Sequence, residues 1–358
     1  MGLAALAAGG CSRSPSPPEA APITQVEAER QVSARVDVAR LFTNEFVDAA
    51  ETPGPVHAGP PDRLRMGLLW VANDENTPWF VGLAKGFFRD EGVDLQIVEG
   101  GPGRDNLPLL AGGQIEIYAG LLEQDLEAVL NPTGADLVMI CANVKGNALC
   151  WTMLDRGVPV GQRSTRRVTA ADLKGHRIGL QPGNEDLYVN IVCEHFGLAP
   201  SDLDIVTAGA TPDGLIGGAM DFYQCYSENQ IRLLERRGYR NYVVLPFSSI
   251  GYISYTSVSV ARRDFLVSHR DVLRRYVAAL RRSLQYVIDH PEEAAEISAR
   301  MSTTPLTVPE VRWRLAYDIP LYVGGGKEPL LALNEGVIRT VAAQLYRFHQ
   351  IELPPGRP

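Results

Sequence analysis

The side chains best suited to holding a ligand are aromatic, and they fall near the ends of predicted strands. Trp70 and Trp79 flank the loop after the first predicted strand, and Tyr118 ends the third. Four more rings stand in the second half of the chain: Tyr223, Tyr226, Tyr252 and Tyr255. Indole and phenol rings stack on planar ligands, and tyrosine hydroxyls orient them by hydrogen bonds. We expect Trp70 and Tyr223 above all to contact a planar ligand, with core packing as the alternative for several of these rings.

Carboxylate and amide side chains share the same predicted loops. They are Asn73, Asp74, Glu75, Glu123, Asn184, Glu185, Asp221, Glu228 and Asn229. A carboxylate in a cleft can pair with an exocyclic amine or a ring N–H through a charge-assisted hydrogen bond. The alternative for each of these loop residues is that it caps a helix or faces water.

The same loops hold few cations. No Lys or Arg lies between Trp70 and Lys85, which falls on a predicted helix, and the segment 181–186 has none either. Proteins that bind anions usually supply positive side chains or helix N-termini. These loops therefore disfavour nitrate, sulfonate or phosphate as the ligand, and leave helix N-termini as the remaining route for an anion.

Other kinds of site find little support. The run 100–103 lacks both the GxGxxG order and a Walker lysine, so Gly101 is interpreted either as a close approach of backbone to ligand or as a plain turn. Six single histidines and five cysteines without CxxC pairs predict no metal site. No serine sits in a GxSxG elbow, and Cys225 has no histidine near it in the sequence. The chain is therefore predicted to be a binding protein without a cofactor; a Cys141–Cys150 bond stays open.

The elements that must position these groups begin with a βαβ unit. The run 65–71 has strand length, 77–88 shows a helical apolar face, and 93–98 alternates as a second strand. A second block of similar order starts at 177–180. Such units imply parallel sheets, which bind ligands beyond the carboxyl ends of their strands, so an α/β fold with two lobes around a cleft is predicted. The predicted ligand-binding residues are Trp70, Asn73, Asp74, Glu75, Gly101, Tyr118, Glu123, Asn184, Glu185, Tyr223, Tyr226, Glu228 and Asn229.

Two phrases carry a family resemblance. GLAKGFFRDEGVDLQIVEGGPG and LLAGGQIEIYAG, with Trp70 ending the first strand, resemble the substrate-binding proteins of ABC transporters over about 65–295. The branch concerned binds thiamine pyrimidine precursors and shares its fold with relatives for riboflavin, sulfonates and nitrate. The resemblance implies a two-lobed periplasmic-binding-protein fold (type II), with lobe 1 formed by 63–155 and 260–358 and lobe 2 by 156–259. It also implies hinge closure on one small molecule and delivery to a membrane permease with its ATPase.

The resemblance favours a planar nitrogen heterocycle as the ligand, a thiamine pyrimidine precursor first and riboflavin second. Three alternatives stay open: a pyrimidine-synthesising or other enzyme on the same fold, a sulfonate- or nitrate-type binding protein, and a ligand sensor for a signalling partner. Fold analogy alone does not separate them. The family includes eukaryotic synthases with a cysteine-rich motif, and this sequence has no such motif.

Residues 1–11 resemble a bacterial lipoprotein signal, in which an apolar run ends in small residues before Cys11. Cleavage would leave Cys11 lipidated and the protein in the periplasm or at the cell surface. Two features depart from the pattern: no Lys or Arg precedes Cys11, and Ala8 stands where leucine is usual. An alanine-rich leader is the alternative.

Residues 12–62 are interpreted as a tether with a short helix within 31–50. No later segment approaches the roughly 18–20 apolar residues that a membrane span needs, so we expect a soluble or tethered mature protein. The net charge of −8, without a long basic run, disfavours a role on nucleic acid or a membrane surface.

Overall fold

The computed structural model describes residues 23–49, 57, 59–101, 103–130, 136–181 and 185–355, so Cys11 and Asn184 lie outside the described residues. The strands are β1 (Asp62–Leu68), β2 (Val93–Val98), β3 (Ile117–Gly120), β4 (Leu137–Val144), β5 (Leu149–Leu154), β6 (Arg177–Leu180), β7 (Asp204–Thr207), β8 (Phe222–Tyr226), β9 (Tyr242–Pro246) and β10 (Ser257–Arg262). The α-helices are α1 (Gln25–Arg35), α2 (Glu45–Ala49), α3 (Thr77–Ala84), α4 (Phe87–Asp90), α5 (Leu107–Ala111), α6 (Leu122–Leu130), α7 (Ala170–Leu173), α8 (Glu185–Phe196), α9 (Asp213–Gly217), α10 (Gln230–Arg236), α11 (Arg263–Ser268), α12 (Arg270–Asp289), α13 (Pro291–Met301), α14 (Val308–Val323) and α15 (Glu335–Arg347). Short 3-10 helices cover Val38–Arg40, Asp74–Asn76, Pro200–Asp202 and Phe247–Ile250.

The described strands form two mixed sheets of matching design, with the orders β2-β1-β3-β10-β4 and β7-β6-β8-β5-β9. In the first sheet β1 pairs in parallel with β2 and β3, and β10 runs antiparallel to β3 and β4. In the second, β6 pairs in parallel with β7 and β8, and β5 runs antiparallel to β8 and β9. The predicted α/β class is confirmed, and the two blocks share their strand directions as well as their order of elements.

The chain passes between the sheets earlier than the sequence suggested. β4 ends at Val144 in the first sheet and β5 begins at Leu149 in the second, so the crossing lies at 145–148 and not at 155/156. The reason is that the apolar run 149–154 is an inner strand, with Cys150 and Trp151 buried between β8 and β9. The polar segment 157–167 lies within the second lobe. The chain returns before β10, which starts at 257 where a strand over 254–260 was expected.

Residues 25–49 belong to the folded body, although 12–62 was interpreted as a tether. Ala28 and Val32 of α1 are fully buried, one helical turn apart, and α1 packs against α15. The backbone of Met139 bonds to Leu41 and Thr43 on either side, at 2.9 Å each, which adds a short bridge to the edge of the first sheet. The N-terminal segment therefore covers β4 and α15.

Two short helices replace the single helix predicted over 77–88. α3 ends at Ala84 and α4 begins at Phe87, with Gly86 between them at φ 78°. Glycine adopts this left-handed conformation without the steric cost that a Cβ brings. The predicted apolar face is still buried at Phe80 and Phe87. The N-terminus of α3 thus lies where the sequence placed it, beyond the carboxyl end of β1.

The C-terminal helices complete the first lobe and reach across to the second. α14 begins at a capping box of Thr307 and Glu310, with Pro309 in its first turn, and it packs on α13 and β4. α15 packs on α1 and α6, and Arg347 at its end pairs with Glu194 on α8. Within the described ranges, no helix combines the length and apolarity needed to cross a membrane.

Candidate functional site

A cavity of about 210 Å³ lies between the two sheets, beyond the carboxyl ends of β1, β3, β6 and β8. The first lobe contributes the loop after β1, the start of α3 and the turn before α6. The second lobe contributes α8 and the loop before α10, and α14 forms a third wall. The described lining residues are Leu69, Trp70, Glu75, Asn76, Trp79, Ala119, Gly120, Leu121, Gln124, Val144, Gln181, Tyr188, Gln224, Tyr226, Glu228, Asn229, Gln230, Thr256, Ser257, Arg314, Asp318, Leu321 and Tyr322.

Aromatic rings from both lobes line this cavity. Trp70 and Trp79 come from the first lobe and Tyr188 and Tyr226 from the second, with Tyr322 on α14. Trp79 is fixed by the hydrogen bond that its Nε1 donates to the Tyr276 hydroxyl at 2.9 Å. Trp70 and Tyr226 are partly exposed, so their faces remain open to a ligand. The cavity therefore has aromatic side chains from both lobes, the residue type that stacks on planar ligands.

The loop that carries Trp70 is held by a close backbone approach. The N–H of Gly100 donates to the Trp70 carbonyl oxygen at 3.0 Å. A Cβ at Gly100 would lie 2.3 Å from the carbonyl oxygen of Leu68, a distance that side chains do not tolerate. The glycine run therefore serves the packing of this loop through Gly100, while Gly101 lies in the following turn, at φ 131°.

Six charged side chains meet at one end of the cavity, and we call them the cavity cluster: Asp74, Glu75, Glu228, Asp318, Arg232 and Arg314. Arg314 donates to Asp318 at 3.0 Å and to Glu228 at 3.2 Å, and lies 3.5 Å from Glu75. Arg232 pairs with Asp74, which is fully buried. The cluster joins the lobes, because Glu228 and Arg232 belong to the second and the others to the first.

Burial has the largest effect on the pKa values of two carboxyl groups in the cavity cluster. It raises the pKa of Glu228 to about 8 and that of Asp318 to about 6, although the Arg314 guanidinium opposes the rise in both. Low-dielectric surroundings disfavour a charged carboxylate, and here one guanidinium is shared among several carboxyl groups. Burial therefore favours the neutral form of Glu228 in the empty cavity.

The cluster has more acids than bases. Four carboxyl groups face two guanidinium groups, which leaves an excess of two negative charges when all are ionised. Arg314 is the one basic side chain among the described lining residues, and its N–H groups are already directed at carboxylates. The cavity is therefore suited to a neutral or cationic group and ill suited to an anion.

Two polar atoms of the lining lack hydrogen-bond partners within the described part of the chain. They are the Tyr322 hydroxyl and Oε1 of Gln224, both buried. Burying such groups without a partner costs free energy, so native structures usually satisfy them. Their position in the cavity wall marks them as candidate hydrogen-bonding groups for a polar ligand.

The structure brings five of the predicted site residues to the cavity wall: Trp70, Glu75, Tyr226, Glu228 and Asn229. Asn229 donates from Nδ2 to Glu75 at 2.9 Å, which ties the two lobes together. Asp74 lies directly behind the wall in the cavity cluster. Asn73 accepts a hydrogen bond from the Glu75 N–H at 3.0 Å and so caps the turn that carries both acids. These two support the site from the second layer.

Five other predicted residues lie outside the cavity wall. Tyr223 is on the opposite face of β8 from Gln224 and Tyr226, where its hydroxyl donates to Gly209 O at 3.0 Å, so the stacking role expected of it passes to Tyr226. Tyr118 packs on the outer face of the first sheet, and Glu123 is buried and bonded to Tyr252. Alternation along the strand explains both tyrosines. The remaining two, which occupy a turn and the start of α8, are Gly101 and Glu185. Asp221, also considered from the sequence, pairs with Arg177.

Sequence reasoning missed the contribution of α14. Arg314 and Asp318 are four residues apart, and Tyr322 follows after four more, so all three share one helical face. This face is buried, with Arg314 at 3 % exposure. The signal available in the sequence was the charged pair Arg314 and Asp318, four positions apart on α14. Nothing else in the sequence of this helix indicates that the pair is buried.

Residues 73–294 match the model of the family described as NMT1/THI5 like. The chain belongs to this family. A relative of the NMT1/THI5-like chain is the 4-amino-5-hydroxymethyl-2-methylpyrimidine phosphate synthase of Candida albicans, 21% identical over 244 residues, which are 65% of this chain and 69% of the relative.

Two solved structures resemble the NMT1/THI5-like chain in fold. The alkanesulfonate-binding protein SsuA from Xanthomonas axonopodis pv. citri, bound to MOPS, superposes with a TM-score of 0.61 at 18% identity and covers 82% of this chain and 96% of its own. The periplasmic aliphatic sulphonate binding protein SsuA from Escherichia coli gives a TM-score of 0.63 at 18% identity, with 81% and 89% covered. The chain therefore has the fold of periplasmic binding proteins.

Proposed function

We propose that this protein is the extracytoplasmic substrate-binding component of an ABC importer, and that its cavity holds a small planar nitrogen heterocycle. The observation that carries the proposal is the cavity itself, which combines rings from both lobes with an excess of carboxyl groups. A thiamine pyrimidine precursor is the favoured ligand and riboflavin the second. The partners would be a membrane permease and its ATPase.

Stacking would supply one part of the affinity. A planar ring between Trp70 and Tyr226 would gain roughly 1–3 kcal/mol per stacked face, by analogy with nucleic-acid bases. The two side chains come from different lobes, so the same contacts would reward closure of the cleft.

Charge-assisted hydrogen bonds would supply another part. An amine that reaches Glu75, or Glu228 in its ionised form, would gain roughly 1.5–3 kcal/mol. Together with stacking on both faces this approaches the roughly −8 kcal/mol of a micromolar complex. Hydrogen bonds to the Tyr322 hydroxyl and to Oε1 of Gln224 would contribute specificity, because both buried groups lack partners within the described part of the chain.

The names of the two SsuA proteins describe them as binding sulfonates. A sulfonate ligand fits this cavity less well than a nitrogen heterocycle. The single basic lining residue, Arg314, would have to leave Glu228 and Asp318 to pair with an anion. Breaking such buried pairs costs several kcal/mol.

A second candidate function is synthesis of the pyrimidine, because the Candida albicans relative is named as a pyrimidine phosphate synthase. Turnover separates the two candidates. A binding protein returns the heterocycle unchanged after incubation, whereas a synthase releases new pyrimidine phosphate, which chromatography with mass detection identifies.

Native mass spectrometry of the protein purified from its own host tests the proposed ligand class directly. We expect a co-purified heterocycle that contains an amino group. Calorimetric titration with an aminopyrimidine, riboflavin, taurine and nitrate then ranks the classes. Tight binding of taurine or nitrate, with no response to either heterocycle, would overturn the proposal.

The proposed membrane tether has a separate test. Lipidation of Cys11 would attach acyl chains whose burial contributes roughly 0.8 kcal/mol per CH₂, enough for stable anchoring when two chains are present. Full-length protein in its host should then sediment with membranes, and Cys11→Ser should release it. An unmodified protein that stays in the soluble fraction contradicts the tether and leaves the ligand proposal untouched.

A further inference from the structure

Two buried thiols face each other across the second sheet. Cys150 on β5 and Cys225 on β8 are direct partners in the antiparallel register. Their Sγ atoms lie 3.3 Å apart, and both residues are fully buried. Direct partners on antiparallel strands have Cα atoms about 4.5–5.5 Å apart, within the range of about 4.4–6.8 Å that disulfides span. A bond between them therefore requires small side-chain adjustments and no rearrangement of the strands.

The other described cysteines have different surroundings. Cys141 lies on β4 in the first sheet, with its Sγ 3.5 Å from Oδ1 of Asn143. Cys193 lies on α8 and packs among apolar side chains. The sequence left a Cys141–Cys150 bond open, but the fold places these two residues in separate sheets and sets Cys150 against Cys225.

We propose that Cys150 and Cys225 form a cross-strand disulfide in the mature protein. Each thiol loses its hydrogen, an Sγ–Sγ bond forms, and two electrons and two protons pass to the disulfide of a thiol–disulfide oxidoreductase, which becomes a dithiol. Such bonds persist in oxidising compartments, so the occurrence of this bond in the cell rests on the extracytoplasmic location proposed above.

The bond forms during folding, before the second sheet closes. Burial, together with the neighbouring Cys150, raises the pKa of the Cys225 thiol well above its usual range. The thiolate is the form that attacks a disulfide, so the buried thiols of the folded protein react slowly. A protein that folds reduced therefore stays reduced for long periods.

The bond lies directly behind the cavity wall. Cys225 faces the interior of the second lobe, while its neighbours Gln224 and Tyr226 point from the other face of β8 into the cavity. A covalent link to β5 holds this strand in place and closes a loop between positions 75 residues apart. Long loops are those for which a cross-link stabilises most, because the unfolded chain loses most freedom.

Peptide mapping of refolded protein tests the pairing. The full chain is unfolded, refolded in oxidised and reduced glutathione, denatured without reductant and alkylated. Trypsin cleaves at Lys145, which separates Cys141 from Cys150, and a glutamate-specific protease cleaves after Glu194, which separates Cys193 from Cys225. We expect the Cys150 and Cys225 peptides joined, lighter than the two free peptides by two hydrogen atoms, with Cys141 and Cys193 alkylated.

Melting measurements provide the matched controls. The oxidised wild type should unfold at a higher temperature than the same protein with reductant, and the Cys141→Ala/Cys193→Ala variant should keep that difference. The Cys150→Ala and Cys225→Ala single variants should lose it. Alkylation of both Cys150 and Cys225 after oxidative refolding, or a different partner for either of them, overturns the proposal. The mapping reads mass and needs no ligand, so its failure is distinguishable from failure of the proposed function.

Discussion

Two sets of arginine–carboxylate interactions in this protein differ in the number of carboxyl groups for each guanidinium group. Arg65 pairs with Glu116 in the first lobe, and Arg177 pairs with Asp221 in the second. In both pairs the carboxylate also accepts the backbone N–H of the arginine, at 2.7 and 2.9 Å. Each acid comes just before the strand that pairs with the arginine's strand. These pairs are balanced, partly exposed and equivalent in the two lobes.

The cavity cluster is neither balanced nor repeated in this way. All of its members except Glu75 are buried, and it shares two guanidinium groups among four carboxyl groups. A one-to-one pair is sufficient to join two strands, whereas an excess of buried acid is costly unless another positive group or hydrogen-bond donor completes it. Under the proposed function, the balanced pairs serve the fold and the cavity cluster serves a ligand.

The largest expected effect comes from removing the central cation. Arg314→Met leaves four carboxyl groups around a missing charge, and we expect a loss of about 3–5 kcal/mol in the free energy of unfolding. The matched change Arg65→Met at a partly exposed pair should cost only about 0–1 kcal/mol. Urea unfolding of both variants measures the difference. Equal losses would show that the two settings do not differ energetically.

The next effect concerns ligand affinity and the two faces of β8. Trp70→Ala and Tyr226→Ala should each weaken binding of an aminopyrimidine about tenfold or more, because each removes a stacking face worth roughly 1–3 kcal/mol. Tyr223→Phe should weaken binding far less, since that hydroxyl donates to Gly209 on the other face and reaches the cavity lining only by accepting from Gln181 at 3.1 Å. Calorimetric titration of the three variants is the measurement. A loss of affinity confined to Tyr223→Phe would place the binding site on the face of β8 that carries Tyr223 and so contradict the proposed site.

The smallest effect is the pH dependence of stability in the empty protein. The folded pKa of Glu228, about 8, lies above its ordinary value of 4.5, and that of Asp318, about 6, lies above 3.8. The folded state therefore binds protons more tightly, so this stability is fully present at low pH and is lost as pH rises through the folded values. Between pH 6 and 8 the free energy of unfolding should fall, by at most about 1.4 kcal/mol per pH unit for one proton.

Glu228→Gln should flatten this slope. Asp221→Asn is the control, because the hydrogen bond from Arg177 lowers the pKa of Asp221, whose contribution is present above its unfolded value and lost only in acid. Urea unfolding at several pH values gives the slopes. A wild-type slope of zero between pH 6 and 8, or one that Glu228→Gln leaves intact, contradicts the assignment.

The sequence predicted the sheets well because their signals are local. The alternation in 93–98 correctly placed β2, and the apolar run in 65–71 predicted β1 with both ends three residues too late. The loop residues Glu75, Glu228 and Asn229 do line the cavity. The crossing at 145–148 was missed because β4 and β5 follow each other as two apolar runs. Only pairing with β8 and β9 shows that the second run belongs to another sheet.

The side of a strand that faces a ligand was harder to predict. Tyr223 and Tyr226 are both aromatic residues of β8. The sequence alone does not show which face of this strand packs in the interior of the lobe and which face points into the cavity. The contribution of Arg314 depends on a helix that is distant in sequence from every other part of the site. Both errors concern tertiary packing, which single-residue chemistry and periodicity do not encode.

We propose that the excess acid of the cavity recognises an amino group, and a cycle that varies both the ligand and the protein tests this proposal. Calorimetry at pH 9, above the pKa of about 8 of Glu228, compares an aminopyrimidine with the same ring lacking its amine, in the wild type and in Glu228→Gln. We expect the amine to strengthen wild-type binding about ten- to a hundredfold, in line with roughly 1.5–3 kcal/mol for a hydrogen bond to a charged group. Glu228→Gln should lose most of this advantage. Equal affinity for both rings in the wild type would contradict the proposal.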